Sequence, residues 1–193
     1  MRDKMGTFLI GIGSVMFLAA AVLFAWNWRI SNTAGHLSDE VLPLLVEEIR
    51  ERKDVPEDSF SPKMTTALVD GYEYVGFLSL PALELELPVM ADWSEAKLKL
   101  SPCRYYGSVK GNDLVICAHN YARHFGHLTE LNLGDDILFT DLEGKATHYT
   151  VADIQVLASD AVDNMISGDY PLTLFTCTYG GKSRIAVRCD AAD

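Results

Sequence analysis

A cysteine, a histidine and an arginine each fall at the end of a short apolar run in this chain. Together they would suffice for acyl transfer through sulfur. Cys177 closes Thr173-Leu174-Phe175-Thr176-Cys177, His119 follows Val115-Ile116-Cys117-Ala118, and Arg184 opens Arg184-Ile185-Ala186-Val187. A thiolate can attack a carbonyl carbon, an imidazole can carry the proton, and a guanidinium can offer fixed donors to an oxyanion. Strand ends hold such groups rigidly while leaving them open to solvent. Only six residues separate Cys177 from Arg184, which suits a tight hairpin that returns the arginine toward the sulfur. Arg188 shares Arg184's face at period two but would lie roughly 13 Å further along, so it reads as a surface or supporting charge. Thr176 and Asn120, beside the sulfur and the imidazole, are secondary candidates for binding or support. Successive strand residues face opposite sides, which suits Thr176 to a structural role.

Two other readings of these residues carry less weight. His119, His124 and His127 with a cysteine could in principle hold zinc, but their spacing is not that of a zinc site and no paired cysteine accompanies them. No metal and no organic cofactor is expected. His124 and His127 instead fit a short connecting turn in which Phe125, Leu128 and Leu131 pack inward. The four cysteines, Cys103, Cys117, Cys177 and Cys189, would permit two disulfides outside the cell. A disulfide through Cys177 would remove the nucleophile, and Cys117 and Cys189 sit in apolar strand patterns where a thiol is usually a small buried hydrophobe. Free thiols are the favoured reading, with a disulfide between two of Cys103, Cys117 and Cys189 as the alternative.

The elements that must position these groups follow from patterning. Met5 to Trp28 carries no charge and, as a helix, would be roughly 36 Å long, enough to cross a hydrocarbon core of about 30 Å. A cleaved signal peptide with Ala19-Ala20-Ala21 as its processing site is the alternative, but the apolar run continues to Trp26 and Trp28, which favours a retained anchor. Arg2 and Lys4 before the run favour an N-terminus inside and a chain outside. Ser31 to Gly35 reads as a polar link, and Ser38 as the start of a brace helix with Val41, Leu44, Leu45 and Ile49 on one face. Lys53 to Lys63 reads as a linker. Beyond Tyr72, seven strand-like runs are separated by turn residues, among them Asp141-Leu142-Glu143-Gly144. Such spacing predicts a mainly β, closed or nearly closed barrel. The chain of 193 residues thus divides into a cytoplasmic tip and anchor (1–30), a helical stalk and linker (31–70) and a catalytic barrel (71–193). The net charge of −11 excludes a nucleic-acid partner, since no basic stripe is present to displace phosphate counterions.

Over roughly Tyr74 to Cys189 the sequence resembles the sortases, the membrane-anchored cysteine transpeptidases of Gram-positive bacteria. The family's TLxTC signature matches Thr173–Cys177. Its histidine and arginine match His119 and Arg184 in the right order. The resemblance implies an eight-stranded barrel with short helices in its connections. It also implies a thiol-protease-like activity that cleaves an LPxTG-like sorting signal on secreted proteins through a thioacyl-enzyme. The protein would then pass to an amine of a peptidoglycan precursor or a pilin. The implied location is the cell membrane, single-pass, with the catalytic domain outside. A papain-like peptidase would place cysteine before histidine, and an L,D-transpeptidase would show a Ser-His-Gly-Cys motif that is lacking. A catalytically inactive, membrane-tethered binding domain is the alternative from another class, opposed by the complete Cys/His/Arg set.

Overall fold

The computed structural model describes residues 2–52, 64–167 and 169–192; the expected linker, 53–63, lies outside the described residues. Helix α1 runs without a break over Arg2–Arg52, about 75 Å at 1.5 Å per residue. Its stretch Phe8–Arg29 has a mean hydropathy of 2.5 and buries none of its surface against the protein, so Phe17, Phe24 and Trp26 face outward. An apolar helix of this length fits a single-pass membrane anchor. The expected polar link at Ser31–Gly35 is helical instead. Extending an existing helix fixes one residue per hydrogen bond gained, so a short polar stretch between two helical segments does not stop it. Pro43 sits inside α1 on its exposed side without ending it.

Among the described residues nine strands follow: β1 Ala67–Val69, β2 Tyr72–Leu80, β3 Leu85–Met90, β4 Cys103–Tyr106, β5 Leu114–Cys117, β6 Asp136–Asp141, β7 Ala146–Ala158, β8 Leu172–Cys177 and β9 Ser183–Ala191. Two one-turn helices, α2 Glu95–Leu98 and α3 Val162–Met165, lie in the β3–β4 and β7–β8 connections. The strand order β1-β2-β3-β4-β5-β8-β9-β7-β6, with β2 also pairing β6, closes β2 to β9 into an eight-stranded barrel. β1 is an added strand on β2. β5 and β8 run parallel, and β9 is antiparallel to both β8 and β7.

Two apolar layers result from the period-two alternation of these strands. Inside the barrel, Leu78, Leu87, Leu114, Ile116, Leu172, Leu174, Val187 and Cys189 form the core. Outside it, Val41, Leu45 and Ile49 of α1 cover Ala67, Tyr74, Met90, Cys103 and Cys117. The brace stripe is narrower than expected, since Leu44 is 50% exposed. All four cysteines are free thiols. Burial pushes the thiols of Cys103 and Cys189 up to about 12 and that of Cys117 higher still, which keeps them inert as thiols at neutral pH.

Candidate active site

Strand register assembles the site. Cys117 of β5 lies opposite Phe175 of β8, and Cys177 of β8 lies opposite Arg184 of β9. Because alternate residues share a face, Phe175 and Cys177 face outward together, as do Cys117 and His119 on the neighbouring strand and Ala186 and Arg184 on the next. His119, Cys177 and Arg184 therefore occupy one end of one face. All three line a single cavity of about 200 Å³.

Each residue of the Thr173–Cys177 motif has its own task in this geometry. Leu174 fills the barrel core. Thr176 turns inward, and its buried hydroxyl donates to the carbonyl of Ala118 at 2.9 Å, tying β8 to the peptide just before His119. Phe175 floors the cavity beside Cys177. Thr173 faces outward yet is buried, and its hydroxyl accepts from Arg188 at 2.9 Å.

The β8–β9 hairpin explains how Arg184 returns to the sulfur. Thr178 and Ser183 bond through both backbone and side chain. Gly180 and Gly181 adopt φ of 82° and 70°, a left-handed conformation open to glycine at little cost. Nη1 of Arg184 donates to the carbonyls of Gly181 and Ser183 at 3.1 and 3.2 Å. That holds the guanidinium to its own turn while its other nitrogens stay available.

His119 is half-buried. Burial holds its imidazole below the ordinary histidine value, and the Lys99 ammonium adds to this while Glu95 opposes it. Its ring packs on Tyr121, centroids 4.9 Å apart, and Tyr121 in turn packs on buried His124 at 5.6 Å. The loop closes with Phe125 N–H donating to the His119 carbonyl. Phe125, Leu128 and Leu131 are buried as expected, while His127 meets Glu130 at 2.6 Å on the surface. Among the described residues no three His, Cys, Asp or Glu side chains converge as a metal site would require. From the same loop, Arg123 reaches Asp39 of α1 with two contacts of 2.8 Å. Asn120 is half-exposed beside His119.

Two walls flank the thiol. One carries Trp93, Leu98 and Tyr105; Trp93 packs on Tyr105 at 5.5 Å, and Tyr105 meets Phe175 edge-on at 5.2 Å. Asp92 pairs with Lys97 across α2, whose N-terminus Ser94 caps. The other wall comes from the β7–β8 connection and presents Ser159, Ala161, Val162 and Met165. Arg188, expected as a surface or supporting charge, shares Arg184's face but is 3% exposed beneath this connection. Neither wall was foreseen from the sequence. The Tyr121 contact and the Arg188–Thr173 pair were also missed, although period two already aligned Arg188 with Arg184.

The sortase-domain family model matches residues 78–192, more than half of the chain. Sortase C of Streptococcus pneumoniae superposes with a TM-score of 0.59 at 21% identity, over 80% of this chain and 97% of that one. A sortase D5 transpeptidase of Clostridium perfringens gives 0.63 at 18% identity, over 82% and 99%. Sortase C1 of Streptococcus suis gives 0.55 at 26% identity, over 65% and 76%. No curated protein sequence matches the chain significantly. The barrel is a closed eight-stranded one, as in sortases, and the chain belongs to the sortase family of cysteine transpeptidases.

Proposed function

We propose that this sortase is catalytically competent, that residues 71–193 form its catalytic unit, and that this unit lies outside the membrane anchored by α1. Its substrates are secreted proteins carrying a C-terminal LPxTG-like signal. The single observation that carries the reading is the convergence of Cys177, His119 and Arg184 on one cavity. In the proposed reaction the Cys177 thiolate attacks the carbonyl carbon of the signal's threonine, and an Arg184 N–H donates to the developing oxyanion. The C–N bond breaks as the His119 imidazolium gives its proton to the departing amine. A thioacyl-enzyme remains on Sγ. An incoming amine, from a peptidoglycan precursor or a pilin lysine, then loses a proton to His119, attacks the thioester and releases the thiolate. These steps balance without a metal or cofactor. The apolar walls, with Trp93, Tyr105 and Phe175 on one side and Val162 and Met165 on the other, suit an aliphatic segment of the acyl portion.

The test is covalent. Full-length protein in detergent, incubated with an LPxTG-like peptide, should gain the acyl mass on Cys177 alone, and a short glycine peptide should discharge it faster than water does. Cys177→Ala should abolish both steps, and His119→Ala should lower turnover by about 10²–10⁴-fold. Turnover persisting in Cys177→Ala would end the mechanism. A wild-type protein that binds such peptides without an adduct would instead be the inactive binding domain.

A further inference from the structure

The β7–β8 connection, residues 159–171, supplies one wall of the cavity yet, among its described residues, contains only the single turn α3 as regular structure. An isolated turn of helix is not stable by itself, and its last carbonyls have no partners within the helix. Arg188 supplies them. From β9 its Nη2 donates to the carbonyl of Asn164, and its Nη1 donates to the carbonyl of Met165 at 3.4 Å and to Thr173 Oγ1 at 2.9 Å. Its Nε reaches Gln155 Oε1 of β7 at 3.3 Å. The Tyr170 ring, at the far end of the same connection, lies 5.6 Å from the guanidinium carbon, within range of a cation–π contact.

None of these hydrogen-bond acceptors is a carboxylate. Burying a guanidinium costs several kcal/mol unless its donors are satisfied; the carboxylates of Asp153 and Asp169 offset part of this from a distance, while the hydrogen bonds themselves go to carbonyls and a hydroxyl that fix its geometry. Arginine presents five donors in a planar fork, whereas lysine presents three from one atom and cannot span a helix end, a strand hydroxyl and an amide together. Arg188 lies four residues from Arg184 on the same face. The strand that delivers the oxyanion donor at one end thus fastens the cavity wall at the other.

We infer that Arg188 is a positioning residue: with Thr173 as its relay to β8, it pins α3 against the sheet and so holds Ala161, Val162 and Met165 as the apolar wall that receives the acyl portion of the sorting signal. The inference rests on the transpeptidase reading for its substrate and on the hydrogen bonds alone for its clamp. Arg188 touches no reacting atom, so its loss should act on binding more than on chemistry.

The experiment uses full-length protein in detergent, with two readouts on Arg188→Lys, Thr173→Val and Thr173→Ser. Hydrogen exchange reads the wall without any substrate. Arg188→Lys should speed exchange of the amides of 161–166 by tenfold or more, and Thr173→Val by less, because charge-assisted hydrogen bonds are lost. Kinetics with an LPxTG-like peptide should show KM raised about tenfold in Arg188→Lys with kcat changed less than about threefold. Thr173→Ser, which keeps the hydroxyl, should recover what Thr173→Val loses. Should Arg188→Lys fail to fold, Thr173→Val decides by the same two readouts. Unchanged exchange at 161–166, or a fall in kcat at constant KM, overturns the clamp. Wild-type protein inert toward every sorting-signal peptide overturns the transpeptidase reading instead, and hydrogen exchange then decides the clamp by itself.

Discussion

Arg184 and Arg188 stand on the same face of the same strand, yet their surroundings have little in common. Arg184 sits at the open end, held by two carbonyls of its own hairpin and bordering the cavity with Cys177. Arg188 sits beneath the β7–β8 connection, almost wholly buried, with acceptors drawn from β7, β8 and α3. One guanidinium is tied through a single nitrogen to its own turn, and the other has committed all three nitrogens to the fold. The difference separates two uses of a single residue type. The charge proposed to act on a substrate is fixed by its own hairpin alone, while the charge proposed to shape the site is fixed by acceptors on three other elements.

Substitutions at the two positions should therefore fail in different ways. The largest effect is expected at the open end, where Arg184→Lys should lower kcat by about 10²–10³-fold if, as proposed, the fork serves the oxyanion, since a point charge then replaces it. Comparable kcat values for the variant and wild type would remove Arg184 from the reaction. Stability should show the reverse ranking. Arg188→Met leaves two helix-end carbonyls and the Thr173 hydroxyl without a donor, and should cost about 2–4 kcal/mol in denaturant unfolding. Arg184→Met, at a half-buried position tied only to its own turn, should cost no more than about 1 kcal/mol. Equal losses at the two positions would erase the contrast. A smaller effect belongs to Thr176, whose hydroxyl joins β8 to the peptide before His119. Thr176→Val should cost about 1 kcal/mol of stability and lower kcat several-fold by loosening the imidazole's seat, with KM nearly unchanged.

How much of this was legible in the sequence depends on how local each signal is. The placement of Cys177, His119 and Arg184 at strand ends was readable because each closes or opens an apolar run, and the two-residue period placed Arg188 on Arg184's face. The other seven strands were readable for the same reason, even β5 with its four apolar residues. β1 has only three residues, and β4, Cys103–Tyr106, is a four-residue strand with a register irregularity between Arg104 and Tyr106, so neither gave a period to detect. The helix through Ser31–Gly35 was hidden because its polar residues looked like a boundary, whereas propagation from the flanking segments decides the matter. Arg188's burial could not be read at all. Patterning tells which face a residue takes, but what covers that face is set by the path of a connection whose own sequence carries no period. The walls of the cavity, Trp93 and Tyr105 on one side and α3 on the other, depend on the same kind of distant placement.

The smallest expected effect gauges how dry the open end is. His119 is held below its ordinary value of 6.5, first by burial and then by Lys99, with Glu95 acting in the opposite sense. At high pH both folded and unfolded chains carry a neutral imidazole, so His119 contributes no pH dependence there. As pH falls through 6.5 the unfolded chain takes up a proton that the folded chain resists. The unfolded state then binds more protons and stability declines, until the folded imidazole also titrates and the decline stops. Unfolding measured between pH 7.5 and 5.5 should thus show a small loss of stability in wild type that His119→Gln removes. Asp141, raised by burial, has the opposite sign, gaining stability as pH falls toward its ordinary 3.8, and the His119→Gln comparison isolates the histidine's share. Lys99→Gln should move the His119 ring titration upward and Glu95→Gln should move it downward, each followed by NMR on the full-length protein in detergent. A ring titrating at or above 6.5 in wild type would mean that solvent fills the cavity. The contrast between a half-dry chemical end and a sealed structural end of β9 would then reduce to Arg188 alone.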